Sequence, residues 1–271
     1  MYELKWNSDH PGHVVFLLDL SGSMELNNKI NYVIDAVQDS IENLLTHCRN
    51  DKGLPAERVS VSVYGYNYRI VELWKNYSVK QMAIAMIEAE DAGKKIFDSN
   101  GNAKPEFQTC MKMAFEEAKR DVELWIKSQR GRSDMPSPIV INVTDGYPYE
   151  GENYNEDQVY ADTLKAAQEL MKVTTPDGNV RLLNIHHDPS TNDPTLTFPY
   201  SRPQIDKNMQ FLFQASSLLT EKMAVAANKM GFPEAREGSR AMISNANKPS
   251  IVTQFLNWGS SQGVKPEADA Y

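Results

Sequence analysis

Val14-Val15-Phe16-Leu17-Leu18-Asp19-Leu20-Ser21-Gly22-Ser23 decides the fold. Five apolar residues without polar alternation read as a parallel strand buried on both faces. The run stops abruptly at a carboxylate, two hydroxyls and a glycine. In an open parallel sheet, residues just past a strand's C-terminal end line the ligand crevice. Gly22 permits a tight turn that aims Asp19, Ser21 and Ser23 into one small space. All three offer hard oxygen atoms, which suit a magnesium-type cation.

Two further segments supply matching oxygens. Ile139-Val140-Ile141-Asn142-Val143-Thr144-Asp145-Gly146 repeats the pattern, a β-branched run ending in a carboxylate and a glycine. Two such runs predict adjacent central strands delivering aspartates to the same sheet edge. Thr109 stands at the start of an amphipathic helix expected over residues 107–128, where a hydroxyl is at home. Taken singly, Thr109 reads as a helix cap, Asp145 as a turn former, and the serines as turn residues. Taken together and in order they make one constellation.

Asp-x-Ser-x-Ser, a distant Thr and a distant Asp form a metal-ion-dependent adhesion site, and here the chain resembles the von Willebrand factor A (VWA) family. The resemblance implies an α/β fold, a doubly wound, Rossmann-like, mostly parallel sheet with helices on both faces. It implies a Mg2+ or Mn2+ ion held by Asp19, Ser21, Ser23, Thr109 and Asp145. The two serines would ligate directly, Thr109 directly or through water, and the aspartates partly through water. It also implies a C-terminal helix that slides as the metal loops rearrange, the alternative being a fixed edge helix beside a rigid site. The C-terminal half, including Phe198-Pro199, residues 211–219 and residues 238–246, resembles a cytosolic bacterial branch of tellurite-resistance-type VWA proteins. That branch implies an adaptor in stress or defence signalling, with a PP2C-type phosphatase or Ser/Thr kinase as partner. Phe107-Gln108 departs from the family, since many relatives carry two glycines before the threonine.

Electrostatics explains such a site. Two carboxylates and three neutral hydroxyls supply two negative charges, enough to balance a divalent cation. A magnesium ion with so few charged ligands stays electron-poor and attracts a carboxylate from another molecule. The chemistry is recognition of an Asp or Glu on a partner, and no catalytic residue is expected. A dehalogenase-type phosphatase needs a second aspartate where Ser21 stands, and a serine hydroxyl cannot protonate a leaving group. Ser21 also lacks a Gly-x-Ser-x-Gly elbow. The alternative reading is a chelatase-type subunit that docks on an ATPase ring.

Composition agrees. The 271 residues suit one α/β domain, with a core of about 12–260, an insertion at about 189–209 and a frayed tail at 261–271. A net charge of -8 argues against nucleic acid, whose phosphates need a basic surface. Cys48 and Cys110 give neither a disulfide framework nor zinc spacing, which favours a reducing, cytoplasmic setting. No leader and no membrane span is evident.

Periodicity predicts helices at about 29–47, 79–90, 157–173, 211–230 and 250–258, and strands at 59–64, 68–74, 180–186 and 241–243. The strand at 59–64 alternates and reads as half-buried near an edge. The last helix, barely two turns long, is expected to be held by few contacts. His186, His187 and Asp188 are expected to diverge rather than form a second metal site. Lys127, Arg130 and Arg132 read as a solvated helix end.

Overall fold

A computed structural model describes residues 4–50, 52–129, 132, 134–203 and 207–261. Strand β1 covers Gly12–Asp19, followed by a kinked 3-10 segment over Gly22–Asn28 and helix α1 over Lys29–His47. Strands β2 (Val59–Tyr66) and β3 (Ile70–Ser78) precede helices α2 (Val79–Asp91) and α3 (Met111–Ser128). Then come β4 (Ile139–Thr144), α4 (Glu156–Met171), and a two-stranded hairpin, β5 (Thr174–Thr175) and β6 (Gly178–Asn179). The chain continues through β7 (Arg181–His187), β8 (Leu196–Thr197), α5 (Lys207–Gln214), α6 (Glu221–Lys229), β9 (Met242–Ala246) and α7 (Pro249–Ser260).

Seven strands form one sheet in the order β3-β2-β1-β4-β7-β9-β8. The five inner strands are parallel, and an antiparallel strand closes each edge. The unalternated run in β1 now has its reason. Val14, Phe16 and Leu18 join a core with α1, α6 and α7, while Val15 and Leu17 join one with α3, α4 and α5. Both faces of a parallel sheet covered by helices is the doubly wound arrangement the sequence predicts. The order reverses beside β1, since β2 lies on one side and β4 on the other, so the β1/β4 crevice is the topological switch point.

Most element positions match expectation, and four differ. Strand β2 lies one in from the edge, yet all but Ser60 is buried, because α3 covers the face that the alternating serines were expected to expose. The expected helix at 211–230 is two helices. Between them, Ser217 exchanges hydrogen bonds with Leu182 at the start of β7, and Arg240 donates to the Ser216 carbonyl. Those contacts compete with helix continuation, and Thr220 caps α6 by accepting from the Met223 N–H. The expected insertion contributes β8, the antiparallel edge strand beside β9. Beyond Ser261 the expected frayed tail lies outside the described residues, as does Arg130.

Helix α7 is the fourth difference. Val252, Phe255, Leu256 and Trp258 are buried, and the Trp258 ring meets Phe198 at 4.7 Å and Phe255 at 5.2 Å. A Cβ on Gly259 would stand 2.6 Å from Leu183, so the helix lies against the sheet itself. The expectation of few contacts fails because the helix fills the gap between α1 and the sheet.

At the opposite end of β1 from Asp19, His13 Nε2 and Asp121 Oδ2 lie 2.9 Å apart, both buried. Burial pushes the Asp121 carboxyl up, but the His13 hydrogen bond and charge outweigh it and hold it below the usual value. A carboxylate so depressed stabilises the fold above its unfolded pKa, and that stability is lost as pH falls through its folded pKa. Asp121→Ala orphans the buried imidazole nitrogen and should cost about 3 kcal/mol at neutral pH, read by urea unfolding. A loss below about 0.5 kcal/mol would show the pair to be energetically neutral.

Candidate metal centre

Four of the five expected site residues meet at the switch-point crevice, and Thr109 lies in a loop bound to it through its backbone. Asp19 ends β1 fully buried. Its Oδ1 accepts the Ser21 N–H at 2.8 Å, which folds the chain back and presents both serines. Ser21 Oγ and Ser23 Oγ lie 3.1 Å apart, and Ser23 Oγ donates to Asp145 Oδ1 at 2.8 Å. Asp19, Ser21, Ser23 and Asp145 are thus one hydrogen-bonded cluster.

Thr109 arrives differently from the expectation. Helix α3 begins at Met111 with Cys110 at its cap position, so Thr109 belongs to the preceding loop. Its backbone pairs in both directions with Tyr149, just past Asp145, and Glu106 N–H donates to the Leu20 carbonyl. The loop is therefore stitched between the two aspartate loops. Gln108 sits at φ +69°, the left-handed region that favours glycine, which makes it a strained position. Its side chain partly offsets this by donating to the Glu150 carbonyl.

Two participants escaped the sequence reading. Thr144 Oγ1 donates to Asp19 Oδ2 at 2.6 Å. Lys29 Nζ lies 2.7 Å from Asp145 Oδ2 with its side chain 9% exposed. A lysine opening a helix opposes the macrodipole, and that misplacement was the available signal. The expected balance of two negative charges is corrected accordingly, since Lys29 offsets one of them. Burial, and then the Asp145 charge, pushes the Asp19 carboxyl up to about 7, against the pull of the Thr144 and Ser21 hydrogen bonds.

The donor set suits a small hard cation. Asp19, Ser21, Ser23 and Asp145 bring carboxylate and hydroxyl oxygens together, the hard ligands that magnesium takes. Among the described residues no group of three or more His, Cys, Asp or Glu could hold a metal. His186 and His187 diverge, one accepting from Asn245 N–H and the other bonded to the Ala246 carbonyl. Asp188 accepts from Ser190 and opens the following loop. Around the rim, Phe107 is 84% exposed, and Leu26, Tyr68 and Tyr149 are exposed too. A groove of about 530 Å³ runs beside the serine loop, lined by Gly22, Glu25, Tyr68, Lys104, Glu106 and Phe107.

No family model matches the chain, and no curated protein does. Among solved structures, the pilus adhesin SpaC from Lactobacillus rhamnosus GG in an open conformation matches 96% of this chain and 31% of its own, at 13% identity and a TM-score of 0.56. Proximal thread matrix protein 1 from the mussel byssus matches over 95% of this chain and 49% of its own, at 15% identity and a TM-score of 0.53. A von Willebrand factor type A structure from Catenulispora acidiphila matches over 66% and 34%, at 16% identity and a TM-score of 0.44. The chain spans about a third of the adhesin and about half of the byssus protein. At these identities the likeness is one of fold, the mostly parallel Rossmann-like sheet with helices on both faces. Among the described residues no helix is long and apolar enough to cross a membrane.

Proposed function

We propose that this chain is a VWA-type interaction module whose Asp19, Ser21, Ser23, Thr109 and Asp145 hold one Mg2+ or Mn2+ ion and present it to a carboxylate on a partner protein. The observation that carries this reading is the oxygen cluster at the β1/β4 switch point, where Asp19, Ser21, Ser23 and Asp145 converge from two strand ends. Binding rather than bond breaking follows from the donor chemistry. The cluster holds hydroxyls and hydrogen-bonded carboxylates, and among the described residues the side-chain hydrogen bonds of Ser21 and Ser23 run to each other and to Asp19 and Asp145. The exposed aromatic side chains of Tyr68, Phe107 and Tyr149 support a protein partner, because aromatic residues are enriched at protein interfaces. The resemblance of the C-terminal half to tellurite-resistance-type proteins supports a cytoplasmic bacterial stress or defence role, with a PP2C-type phosphatase or Ser/Thr kinase as partner. Titration with Mn2+, followed by electron paramagnetic resonance, should show one saturable site from which Mg2+ displaces the manganese. The absence of a saturable site would end the metal reading.

The raised Asp19 carboxyl gives this ion a pH signature. Its folded pKa lies near 7 against a reference of 3.8, so the folded state holds the proton more tightly than the unfolded state does. Metal-free stability therefore declines as pH rises from about 4 through about 7. A divalent ion replaces the proton and relieves that penalty. The rise in melting temperature on adding Mg2+ should be small near pH 5 and several degrees near pH 8. A Mg2+ effect equal at both pH values would show that Asp19 takes no part.

A further inference from the structure

Lys29 lies where two general rules disfavour it. It opens α1, where positive charge opposes the macrodipole, and its side chain is buried. A salt bridge that pins α1 to the β4 end would explain the pairing with Asp145, but not the asymmetry between the two carboxylates. Asp145 meets an ammonium and the Ser23 hydroxyl. Asp19 meets the Ser21 N–H and the Thr144 hydroxyl, both neutral. One carboxylate is neutralised and the other is not, so with Asp19 ionised, Asp19, Asp145 and Lys29 together carry a single negative charge.

We propose that Lys29 sets the charge of the site, holding it one negative charge short of a divalent ion so that ion binding and carboxylate binding become coupled. This rests on the reading that the cluster holds Mg2+ or Mn2+. An ion bound alone leaves one positive charge uncompensated in a largely buried setting, where the effective dielectric is far below that of water. A carboxylate from the partner closes the balance. The coupling is reciprocal, so the carboxylate tightens the ion as much as the ion tightens the carboxylate. Without Lys29 the two aspartates would balance the ion by themselves, bind it more tightly and gain less from an outside acid.

The test measures Mn2+ affinity for the wild type, Lys29→Met and Lys29→Arg, in chloride and in acetate at equal ionic strength. Acetate is the minimal carboxylate probe, and its own binding of Mn2+ is subtracted. Wild type should bind Mn2+ several-fold more tightly in acetate than in chloride. Lys29→Met should bind about tenfold or more tightly than wild type in chloride, and lose the acetate effect. Lys29→Arg keeps the charge and should follow the wild type. Weaker or unchanged Mn2+ binding by Lys29→Met overturns the proposal and leaves Lys29 a structural salt bridge. Absence of an acetate effect in the wild type overturns it without any variant, should Lys29→Met fail to fold. A wild type with no saturable Mn2+ site instead removes the metal reading on which the proposal stands.

Discussion

Asp19→Asn should lower Mg2+ affinity about a hundredfold or more while raising the melting temperature of the metal-free protein near pH 8. Both signs follow from one carboxylate. Asp145 is compensated by Lys29, so Asp19 supplies the negative charge that an incoming ion meets. In the absence of an ion that same charge is buried beside Asp145, and ionising it near pH 8 costs about 4 kcal/mol relative to the unfolded chain. An asparagine keeps the shape. Its amide oxygen accepts from Ser21 N–H, and the Thr144 hydroxyl turns to donate to the Gly146 carbonyl, which it already approaches at 3.3 Å. Calorimetric titration reads the affinity and thermal melts read the stability. Unchanged Mg2+ binding removes Asp19 from the site. A variant that binds no Mg2+ but also melts lower near pH 8 would show that the carboxylate stabilises the fold as well.

The second large effect lies in the last helix. Trp258→Ala should cost about 3–5 kcal/mol, the range for deleting a buried aromatic side chain that neighbours cannot refill. The indole is fully buried, rests edge-on against Phe198, touches Phe255, and donates from Nε1 to the Met223 carbonyl at 3.3 Å. Ser260 adds a buried hydroxyl pair with Ser40 of α1 at 3.0 Å. Urea unfolding checks the figure. A loss below about 1 kcal/mol would mean that α7 is loosely seated, as a sliding helix would be.

Reading the chain alone was enough wherever the information was local. β1 and its abrupt polar end, the bounds of α1 at Lys29 and His47, and the aspartate ending the run at β4 all follow from hydrophobic runs and their interruption. Asp19, Ser21, Ser23 and Asp145 were nameable because strand ends in a parallel sheet share one edge, so order along the chain implies proximity in space. Thr109, in a loop before α3, was nameable only through the resemblance to a known motif. Contacts between distant segments were not readable. The helix expected over 211–230 breaks because Ser216 and Ser217 find partners at Leu182 and Arg240, which no local window contains. Thr109 sits before its helix rather than at its cap because Tyr149 holds its backbone. The short apolar stripe of α7 looked weak because its hold comes from Phe198, Met223 and Gly259's approach to Leu183. Lys29 is the clearest case. Composition counts it as one of 28 basic residues, and only the tertiary structure sets its ammonium against Asp145 and changes the charge of the site. Charge acts across space as the inverse of distance, and the distance between residues 29 and 145 is settled by packing, not by sequence separation.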